Sequence, residues 1–477
     1  MAAGSERLVA ALGQWRAGRG PLFERLASAL VRASEQAALP PGGELPAERI
    51  LARELEVSRS TVVAAYRELR ERGVAVTRHG SGTVMRNAVP APAGASSPAV
   101  AALLARADVS APLIDLSVGA PDYDDLVRDL TVSGSAVPQR ARGHGYVPLG
   151  WPEVRELVAQ QLSRRGAPTS PDEVLITNGA QEAISLAVGL VAADGRRIAV
   201  ESPGYASALD AIARAGGQPL AVERDAGGLR VDRLKRLLDA HHIHALLMAT
   251  SCNNPTGGHT APHRRERIAA LAADHELTVI EDTVLDDLCF NNDPGVPLWA
   301  LLPERVLAAG SLSKVAWGGL RVGWLRAPRP VILRLARTKG ALNIGVGAFD
   351  QLAALAILEN YSELCLKRRA QASAHMQAIV DAINRHLPEW NIPASEGGWS
   401  LWLAPPAGSG AAFAQAALRH GVAITPGAAN SPDGAFPEHV RICYGPDPLL
   451  LDAGVRRLAA AWSDVTSASA VASPVGA

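Results

Sequence analysis

Lysine is scarce in this chain of 477 residues. The 47 basic residues are mostly arginine, and the only lysines are Lys235, Lys314, Lys339 and Lys367. A lysine can lose its proton and act as a nucleophile, whereas an arginine stays charged. Lys314 stands in the string Ser-Leu-Ser-Lys-Val-Ala-Trp-Gly-Gly-Leu-Arg, and this setting makes it a candidate for Schiff-base chemistry.

Cysteine is equally sparse, and long apolar runs are absent. Cys252, Cys289, Cys365 and Cys443 are far apart and form no Cys-x-x-Cys or Cys/His ligand spacing, so we expect reduced thiols and no metal site. No apolar stretch of about eighteen residues occurs, and the N-terminal residues have no apolar core of signal length. We therefore expect a cytoplasmic protein without a membrane span.

The first part of the chain also lacks lysine and aspartate. Residues 1–86 contain thirteen arginines and nine glutamates, so this part has an excess of four positive charges. The net charge of the whole chain is zero, so the remainder has an excess of four negative charges. A basic unit attached to an acidic body suggests that a polyanion binds at one end of the chain.

Composition divides the chain into segments. Residues 87–112 are rich in alanine, proline and serine and poor in core-forming residues, which is typical of a linker. From 113 to 466, short apolar runs alternate with longer helical stretches, which predicts a multidomain α/β protein whose body has a mainly parallel sheet. We expect an N-terminal arm at 1–18, and the small, polar residues 467–477 predict a disordered tail.

Residues 19–86 carry the pattern of three short helices followed by a hairpin. Apolar residues recur on one face of a helix that begins near Pro21. Pro46 can open a second helix, and Ser58 can cap a third. Two short β-runs flank the turn at 79–82 and predict a wing. The order helix, turn, helix and wing is that of a winged helix-turn-helix.

Three strings in this region, Leu-Pro-Ala-Glu-Arg at 45–49, Val-Ser-Arg-Ser-Thr at 57–61 and Gly-Ser-Gly-Thr at 80–83, closely resemble the winged helix of the GntR superfamily. The resemblance implies that the third helix enters the major groove of operator DNA and that the wing lies near a minor groove. The residues it implies at the DNA are Arg49, Ser58, Arg59, Ser60, Thr61 and Gly82. A small helical bundle with a solvated basic face is the alternative.

Schiff-base chemistry on a coenzyme needs a phosphate cradle, an acid opposite the pyridine nitrogen and a flat group against the ring. Residues 177–182 follow an apolar strand and open a helix, where backbone N–H groups can bind phosphate. Tyr205 offers an aromatic ring, and the Asn254 amide could bond a phenolic oxygen. Glu281-Asp282 ends another strand, and a carboxylate there could keep a pyridine nitrogen protonated. Arg321 could pair with phosphate.

In this order and spacing, residues 113–466 closely resemble the fold-type I, class I aminotransferases, which implies pyridoxal 5′-phosphate as cofactor. The resemblance implies that Lys314 forms the internal aldimine, that Asp282 bonds the pyridine nitrogen and that Tyr205 stacks on the ring. The residues it implies around the phosphate are Gly179, Ala180, Gln181, Ser311, Ser313 and Arg321. It further implies a homodimer in which Tyr146 reaches the phosphate of the other subunit, and it matches Arg441 to the arginine that clamps a carboxylate.

One departure from the aminotransferase pattern concerns a tyrosine of the site. Where the family commonly has a tyrosine whose hydroxyl contacts the phenolic oxygen of the coenzyme, this chain has Leu285. The missing hydroxyl should change the proton affinity of the aldimine and slow turnover.

The whole chain resembles the MocR subfamily of bacterial transcription regulators, in which a GntR-type winged helix is joined by a linker to an aminotransferase-like body. The resemblance implies a dimeric regulator that binds operator DNA and senses an amino compound or pyridoxal 5′-phosphate itself. An active aminotransferase with an autoregulatory DNA-binding module is one alternative. A DNA-binding protein with a purely structural body is another. Leu285 favours the sensor.

Overall fold

The computed structural model describes residues 21–35, 45–55, 57–71, 75–78, 82–85, 113–128, 130, 132–137, 143–193 and 195–472, together with Leu8, Leu12 and Trp15. The chain divides into two compact units, residues 1–95 and 96–477. The predicted linker, 87–112, and most of the predicted arm, 1–18, lie outside the described residues.

The N-terminal unit has three helices followed by a two-stranded antiparallel hairpin, as predicted. Its elements are α1 (Leu22–Glu35), α2 (Glu48–Glu54), α3 (Arg59–Glu71), β1 (Ala75–Arg78) and β2 (Gly82–Met85). In the hairpin Arg78 pairs with Gly82, and residues 79–81 of the predicted turn lie outside the described residues. The winged helix-turn-helix fold predicted for this part of the chain is confirmed.

Apolar residues at helical spacing form the core of this unit. The buried set includes Leu26, Leu30, Leu51, Val62, Tyr66 and Leu69, and Leu8, Leu12 and Trp15 join it. The Tyr66 hydroxyl donates to the Pro46 carbonyl at 2.7 Å, which ties α3 to the start of α2. Ser58 caps α3, because its Oγ accepts the Thr61 N–H at 3.1 Å.

The body is built on an eight-stranded sheet. Its strands are β4 (Val174–Thr177), β5 (Arg197–Ser202), β6 (Gln218–Asp225), β7 (Gly228–Leu229), β8 (Ala245–Met248), β9 (Thr278–Asp282), β10 (Val306–Ser311) and β11 (Gly323–Arg326). They lie in the order β4-β11-β10-β9-β8-β5-β6-β7. Only β11 and β7 run antiparallel to their neighbours, so the mainly parallel sheet predicted from the sequence is confirmed.

Helices surround this sheet and continue beyond it. They are α4 (Asp125–Arg128), α5 (Pro152–Ser163), α6 (Ala180–Val191), α7 (Ala206–Arg214), α8 (Val231–Ala240), α9 (Pro262–Asp274), α10 (Leu298–Leu301), α11 (Arg329–Leu342), α12 (Ala348–Glu359) and α13 (Tyr361–His386). Prolines open α5 and α9 at their first helical positions, where the missing N–H costs nothing.

Alternation along the buried strands divides the core into two layers. Val279 in β9 packs with the cluster on one face of the sheet, and Ile280 packs with the cluster on the other, which includes α6. Because side chains alternate along a strand, the next residues, Glu281 and Asp282, also point to opposite faces. Asp282 therefore shares the face of Ile280 and α6.

A smaller subdomain completes the body. It contains β3 (Ile114–Asp115), β12 (Ser400–Leu403), α14 (Gly410–Arg419), β13 (Val422–Ala423), β14 (Thr425–Pro426), β15 (Val440–Cys443) and α15 (Pro448–Ala472). The strands form a three-stranded antiparallel sheet, β12-β15-β14, and a parallel pair, β13-β3. Residues 467–472, which we expected in a disordered tail, are helical, because α15 continues past the predicted boundary. Residues 473–477 lie outside the described part.

Candidate functional site

One edge of the large sheet collects most of the predicted site residues. The parallel strands β4, β5, β8, β9 and β10 end there, and the chain segments that follow them carry Gly179, Tyr205, Asn254, Asp282 and Lys314. Strand β11 runs the other way, so Arg321, which precedes it, reaches the same edge. Ligands of open α/β sheets bind at the carboxyl ends of the strands, so the topology brings the predicted residues together.

Lys314 lies in the turn after β10 and is half-buried. Its Nζ donates to the Gly119 carbonyl, and its own carbonyl accepts the Trp399 Nε1–H at 3.1 Å. Burial lowers the pKa of the Lys314 ammonium to about 8, with Arg441 and Arg321 acting in the same direction and Cys443 and Asp282 opposing them. An amine in this state is available as a nucleophile near neutral pH.

The other three lysines have carboxylate partners. Lys235 pairs with Asp239 at 2.8 Å and Lys367 with Glu363 at 2.6 Å, both at exposed positions. Lys339 is fully buried and its Nζ lies 3.5 Å from Glu182. In the described part of the chain, Lys314 alone among the lysines has no carboxylate at ion-pair distance, so its side chain is the one suited to covalent chemistry.

The two acids at the end of β9 have different surroundings. Glu281 is fully buried and accepts hydrogen bonds from Thr250 Oγ1 at 2.7 Å and from Leu298 N at 3.0 Å. It is engaged in the core on the face away from Lys314. Burial raises the pKa of Asp282 to about 6, while the Val284 N–H and the Lys314 ammonium oppose this rise. Asp282 is therefore the carboxylate available to the site.

The start of α6 is the predicted anion cradle. Gly179 precedes the helix with φ +78°, a conformation that side chains rarely adopt. A Cβ at this position would lie 2.6 Å from Arg321 Nη2. Ala180 and Gln181 are the first residues of α6, and the first N–H groups of a helix have no partner within it. The cradle therefore combines main-chain donors with a guanidinium, as phosphate binding requires.

Arg321 is held over this cradle by main-chain oxygens. Its Nη2 donates to the Asn178 carbonyl at 3.0 Å, and its Nη1 donates to the Gly318 carbonyl at 3.1 Å. The Ser311 and Ser313 hydroxyl oxygens lie 2.9 Å apart on the turn that leads to the lysine. The predicted phosphate residues therefore converge on one place in the structure.

Tyr205 stands at the entrance of α7 beside the same helix start. Its hydroxyl donates to Gln181 Oε1 at 3.0 Å, and Gln181 Nε2 donates to the Ser207 carbonyl at 3.2 Å. Burial raises the pKa of the Tyr205 phenol, so the ring is neutral at ordinary pH. The hydrogen bond fixes the orientation of the ring within the site.

Arg441 projects from β15 and is buried. It donates from Nη1 to Asn254 Oδ1 at 3.0 Å and from Nη2 to the Ser117 carbonyl at 2.6 Å and to Thr425 Oγ1 at 3.2 Å. Its Nε is buried without a hydrogen-bond partner among the described residues. A buried guanidinium with an unused donor is suited to binding a carboxylate.

Sequence reasoning missed several residues of this site. Ser117 and Gly119 contact Arg441 and Lys314 through their carbonyls, and main-chain contacts leave no side-chain signal. Arg368 is also new: it is fully buried and donates to the Val315 carbonyl at 2.7 Å and to the Ala316 carbonyl at 2.8 Å. It supports the turn after the lysine, but its sequence setting is that of an ordinary helix.

Two predicted features stand apart from Lys314. Tyr146 is 62% exposed and packs against His144 rather than against the site of its own chain. Leu285 packs against the core of the smaller subdomain. The Tyr361 and Tyr444 hydroxyls donate to Asp287 at 2.7 Å and to the Gly398 carbonyl at 3.0 Å. These two tyrosines therefore do not supply the hydroxyl that Leu285 lacks.

The predicted DNA-contacting residues of α2, α3 and the segment before α3 are exposed or half-buried. Arg49, Ser58, Arg59 and Ser60 are exposed, and Thr61 is half-buried. Arg59 Nη2 lies 3.1 Å from Glu48 Oε2, so the guanidinium is held at the start of α3. Gly82 begins the second wing strand, while the wing turn at 79–81 lies outside the described residues.

Two of the cysteines, which are far apart in the sequence, meet in the fold. Cys252 Sγ lies 2.9 Å from Cys289 Sγ, and His259 is beside them. The sequence spacing hid this group because Cys252 and His259 come from the loop after β8 and Cys289 from the segment after β9. Within the described residues, no helix is long and apolar enough to cross a membrane.

Comparison with known proteins agrees with both halves of the chain. Residues 111–458 match the aminotransferase class I and II family, and residues 22–85 match the gntR family of bacterial regulatory proteins. The HTH-type pyridoxine biosynthesis transcriptional regulator PdxR of Corynebacterium glutamicum is 32% identical over 366 residues, covering 76% of this chain and 78% of that protein.

Enzymes are also among the relatives. The 2-aminoadipate transaminase of Thermus thermophilus is 30% identical over 339 residues, covering 69% of this chain and 83% of that enzyme. The solved structure of LysN, the α-aminoadipate aminotransferase of Thermus thermophilus complexed with N-(5′-phosphopyridoxyl)-L-leucine, aligns with a TM-score of 0.69 at 26% identity. The alignment covers 78% of this chain and 96% of LysN.

A winged helix of the GntR type and an aminotransferase-like body thus occur in one chain, and relatives named HTH-type transcriptional regulators match most of its length. The chain belongs to the MocR-type transcription regulators, which are DNA-binding proteins with an aminotransferase-like domain.

Proposed function

We propose that this protein is a transcription regulator that binds pyridoxal 5′-phosphate covalently through Lys314 and senses an amino compound or the coenzyme itself. The observation that carries the proposal is the state of Lys314: a half-buried amine with a pKa of about 8, surrounded by an acid, an anion cradle and a buried arginine. When bound, the coenzyme supplies an aldehyde that condenses with primary amines.

The donor set around Lys314 fits this coenzyme. Asp282 shares the face of the sheet on which α6 lies, and a carboxylate here would hold a proton on a pyridine nitrogen. Gly179, Ala180 and Gln181, together with Ser311, Ser313 and Arg321, offer the donors that a phosphate ester needs. Tyr205 would cover one face of the ring, and the Asn254 amide would donate to its phenolic oxygen.

Arg441 is our candidate for recognising the effector. Its guanidinium is buried and its Nε–H has no hydrogen-bond partner among the described residues, so a carboxylate on an amino compound would find a charged, desolvated donor. To accept a bidentate carboxylate, Arg441 would give up one of its two Nη2 hydrogen bonds, to the Ser117 carbonyl or to Thr425 Oγ1. If the Ser117 bond is exchanged, the segment around Ser117 can move, and a ligand that favours one position of this segment can shift the protein between two states.

DNA binding is assigned to the surface of α2, α3 and the wing. Arg59 and Thr61 stand at the N-terminus of α3, where side chains of a recognition helix reach base edges. Arg49 and the hydroxyls of Ser58 and Ser60 would contact DNA phosphates. Gly82, which has no side chain, would let the wing approach the DNA backbone closely. We further propose a homodimer, because the exposed Tyr146 is free to reach the coenzyme phosphate of a second subunit and two copies would match two operator half-sites.

An active aminotransferase is the second candidate, favoured by the transaminase relative that covers most of the body. Leu285 argues against it, since it has no hydroxyl and those of Tyr205, Tyr361 and Tyr444 are bonded to other partners. Steady-state assays with a panel of amino donors and keto acids distinguish the two. Sustained multiple turnovers would reject the pure sensor.

The coenzyme assignment is tested by trapping. Borohydride reduction of protein incubated with pyridoxal 5′-phosphate should leave a phosphopyridoxyl group on the peptide that contains Lys314, as detected by mass spectrometry. Lys314→Ala should abolish the visible absorbance and the labelled peptide but retain DNA binding. Lys339→Ala is the matched control, because Lys339 is also buried, and this variant should keep the label on the Lys314 peptide. A label on the Lys339 peptide of the wild-type protein, in place of the Lys314 peptide, would show that the lysine is misassigned.

A further inference from the structure

A pair of cysteines lies behind the site in direct contact. Cys252 and Cys289 are both fully buried, and their sulfur atoms are 2.9 Å apart. The His259 imidazole completes a group in which one nitrogen and the two sulfurs lie within 4.8 Å of one another. The other two cysteines, Cys365 and Cys443, are buried elsewhere.

The fold explains why these sulfurs meet. Cys252 follows β8 and Cys289 follows β9, and these strands are parallel neighbours whose carboxyl ends lie side by side. Gly397 pairs with Cys289 in an isolated bridge, and a Cβ there would lie 2.4 Å from Cys252 Sγ. The backbone of Gly397 therefore closes the space around the pair and leaves little freedom for the sulfurs to separate.

The separation of the sulfurs distinguishes two kinds of chemistry. Two thiolates on one tetrahedral zinc ion, each about 2.3 Å from the metal, lie about 3.8 Å apart. Sulfurs in a disulfide are about 2.05 Å apart. The observed 2.9 Å is too short for two ligands of one zinc ion, and an approach of about 0.9 Å would form the covalent bond.

The two thiols are also chemically unequal. The hydrogen bond from Cys252 lowers the pKa of the Cys289 thiol, and the neighbouring His259 adds to this effect against the burial of the sulfur. Burial raises the pKa of Cys252. Cys289 is therefore the nucleophile of the pair and Cys252 the proton-bearing partner.

We propose that peroxide oxidises Cys252 and Cys289 to a disulfide, which joins the segments that follow β8 and β9. Both sulfurs are inaccessible to glutathione and to other proteins, so the oxidant is a molecule as small as hydrogen peroxide. The half-buried His259 marks the side on which the group comes closest to solvent.

The reaction balances in two steps. The Cys289 thiolate attacks one oxygen of the peroxide, the O–O bond breaks, and the released hydroxide leaves as water with the proton that Cys289 had given to His259. The Cys252 sulfur then attacks the sulfur of the Cys289 sulfenic acid, so the S–S bond forms as the S–O bond breaks. The hydroxyl group leaves as a second water with the Cys252 proton. The two thiols lose two electrons, and one peroxide becomes two waters.

The experiment treats the full-length protein with hydrogen peroxide, blocks the remaining thiols with iodoacetamide under denaturing conditions and maps the peptides by mass spectrometry. We expect two of the four thiols to become unreactive, and the Cys252 and Cys289 peptides to be joined with the loss of two hydrogen atoms. A reductant should restore both thiols. Cys365→Ser should leave the cross-link intact, whereas Cys289→Ser should abolish it.

The wild-type protein decides the question even if a cysteine variant does not fold. Uniform oxidation of all four cysteines, or sulfinic acid on Cys289 without a cross-link, would refute the proposal. One zinc ion per chain in the purified protein, lost on Cys252→Ser, would refute it in favour of a metal site. None of these readouts involves the coenzyme, so the result is independent of the proposed function.

Discussion

Lys314 should react with pyridoxal 5′-phosphate at a pH where an ordinary lysine is almost inert. Burial lowers its pKa from 10.5 to about 8. At neutral pH, a shift of this size raises the neutral fraction of the amine by about 300-fold. Because the neutral amine is the nucleophile, the rate of coenzyme attachment should rise with pH through a midpoint near 8 and then level off.

The assay mixes coenzyme-free protein with pyridoxal 5′-phosphate at a series of pH values and follows the visible absorbance. A parallel series with Nα-acetyl-lysine, whose side-chain amine is free, corrects for the titration of the coenzyme itself. The Lys314→Ala variant supplies the blank. A midpoint near 10, superimposable on the small amine, would show that Lys314 is solvated and that the reasoning from burial is wrong.

Two variants that each remove a charge near Lys314 test what shifts its pKa, and they should change this pKa in opposite directions. Asp282→Asn removes a negative charge that raises the pKa of Lys314, so the midpoint should move down. Arg441→Gln removes a positive charge that lowers it, so the midpoint should move up. Movement of both midpoints in the same direction would indicate a general loosening of the site rather than the loss of specific charges.

Three further predictions concern affinity. Fluorescence anisotropy should show that Arg59→Ala weakens binding to a selected operator by about 1–3 kcal/mol if Arg59 reads a base. Arg236→Ala, which changes an exposed arginine of the body, should have no effect. An equal loss of affinity for every DNA sequence would show that Arg59 contacts phosphate instead. Gly179→Ala should weaken coenzyme binding in absorbance titrations, because its Cβ would displace Arg321. Gly189→Ala is the control: its Cβ would lie in open space within α6, so it should raise the stability of the fold by about 0.5–1 kcal/mol. Arg441→Lys should cost about 1.5–3 kcal/mol in binding amino acids and leave amines without a carboxylate unaffected; equal losses for both would remove Arg441 from effector binding.

The sequence was sufficient to predict elements whose local chemistry agrees with their final environment. The Ser58 cap, the glycine before α6 and the acid that ends β9 each depend on neighbours close in the chain, and the structure has them where the pattern predicted. The family resemblance then selected Asp282 over Glu281. The physical reason became visible only in the sheet, where the alternation of β9 directs Glu281 toward Leu298.

Contacts between distant segments were beyond the sequence. Cys252 and Cys289 meet because β8 and β9 are neighbours in the sheet, and strand order cannot be read from residue spacing. The Ser117 carbonyl reaches Arg441 across 324 positions of the chain. The disorder predicted for 467–472 was wrong because small, polar composition was taken as a sign of disorder, whereas alanine is a strong helix former and α15 continues through these residues.

The hydrogen bond between Asn254 and Arg441 has a thermodynamic consequence. With its oxygen held by the guanidinium at 3.0 Å, the Asn254 amide cannot turn over without losing that bond, so only its N–H side is presented to a coenzyme. Binding of the coenzyme and binding of a carboxylate by Arg441 would then both depend on the same orientation of the Asn254 side chain. Such linkage is reciprocal: whatever the coenzyme adds to effector affinity, the effector adds to retention of the coenzyme.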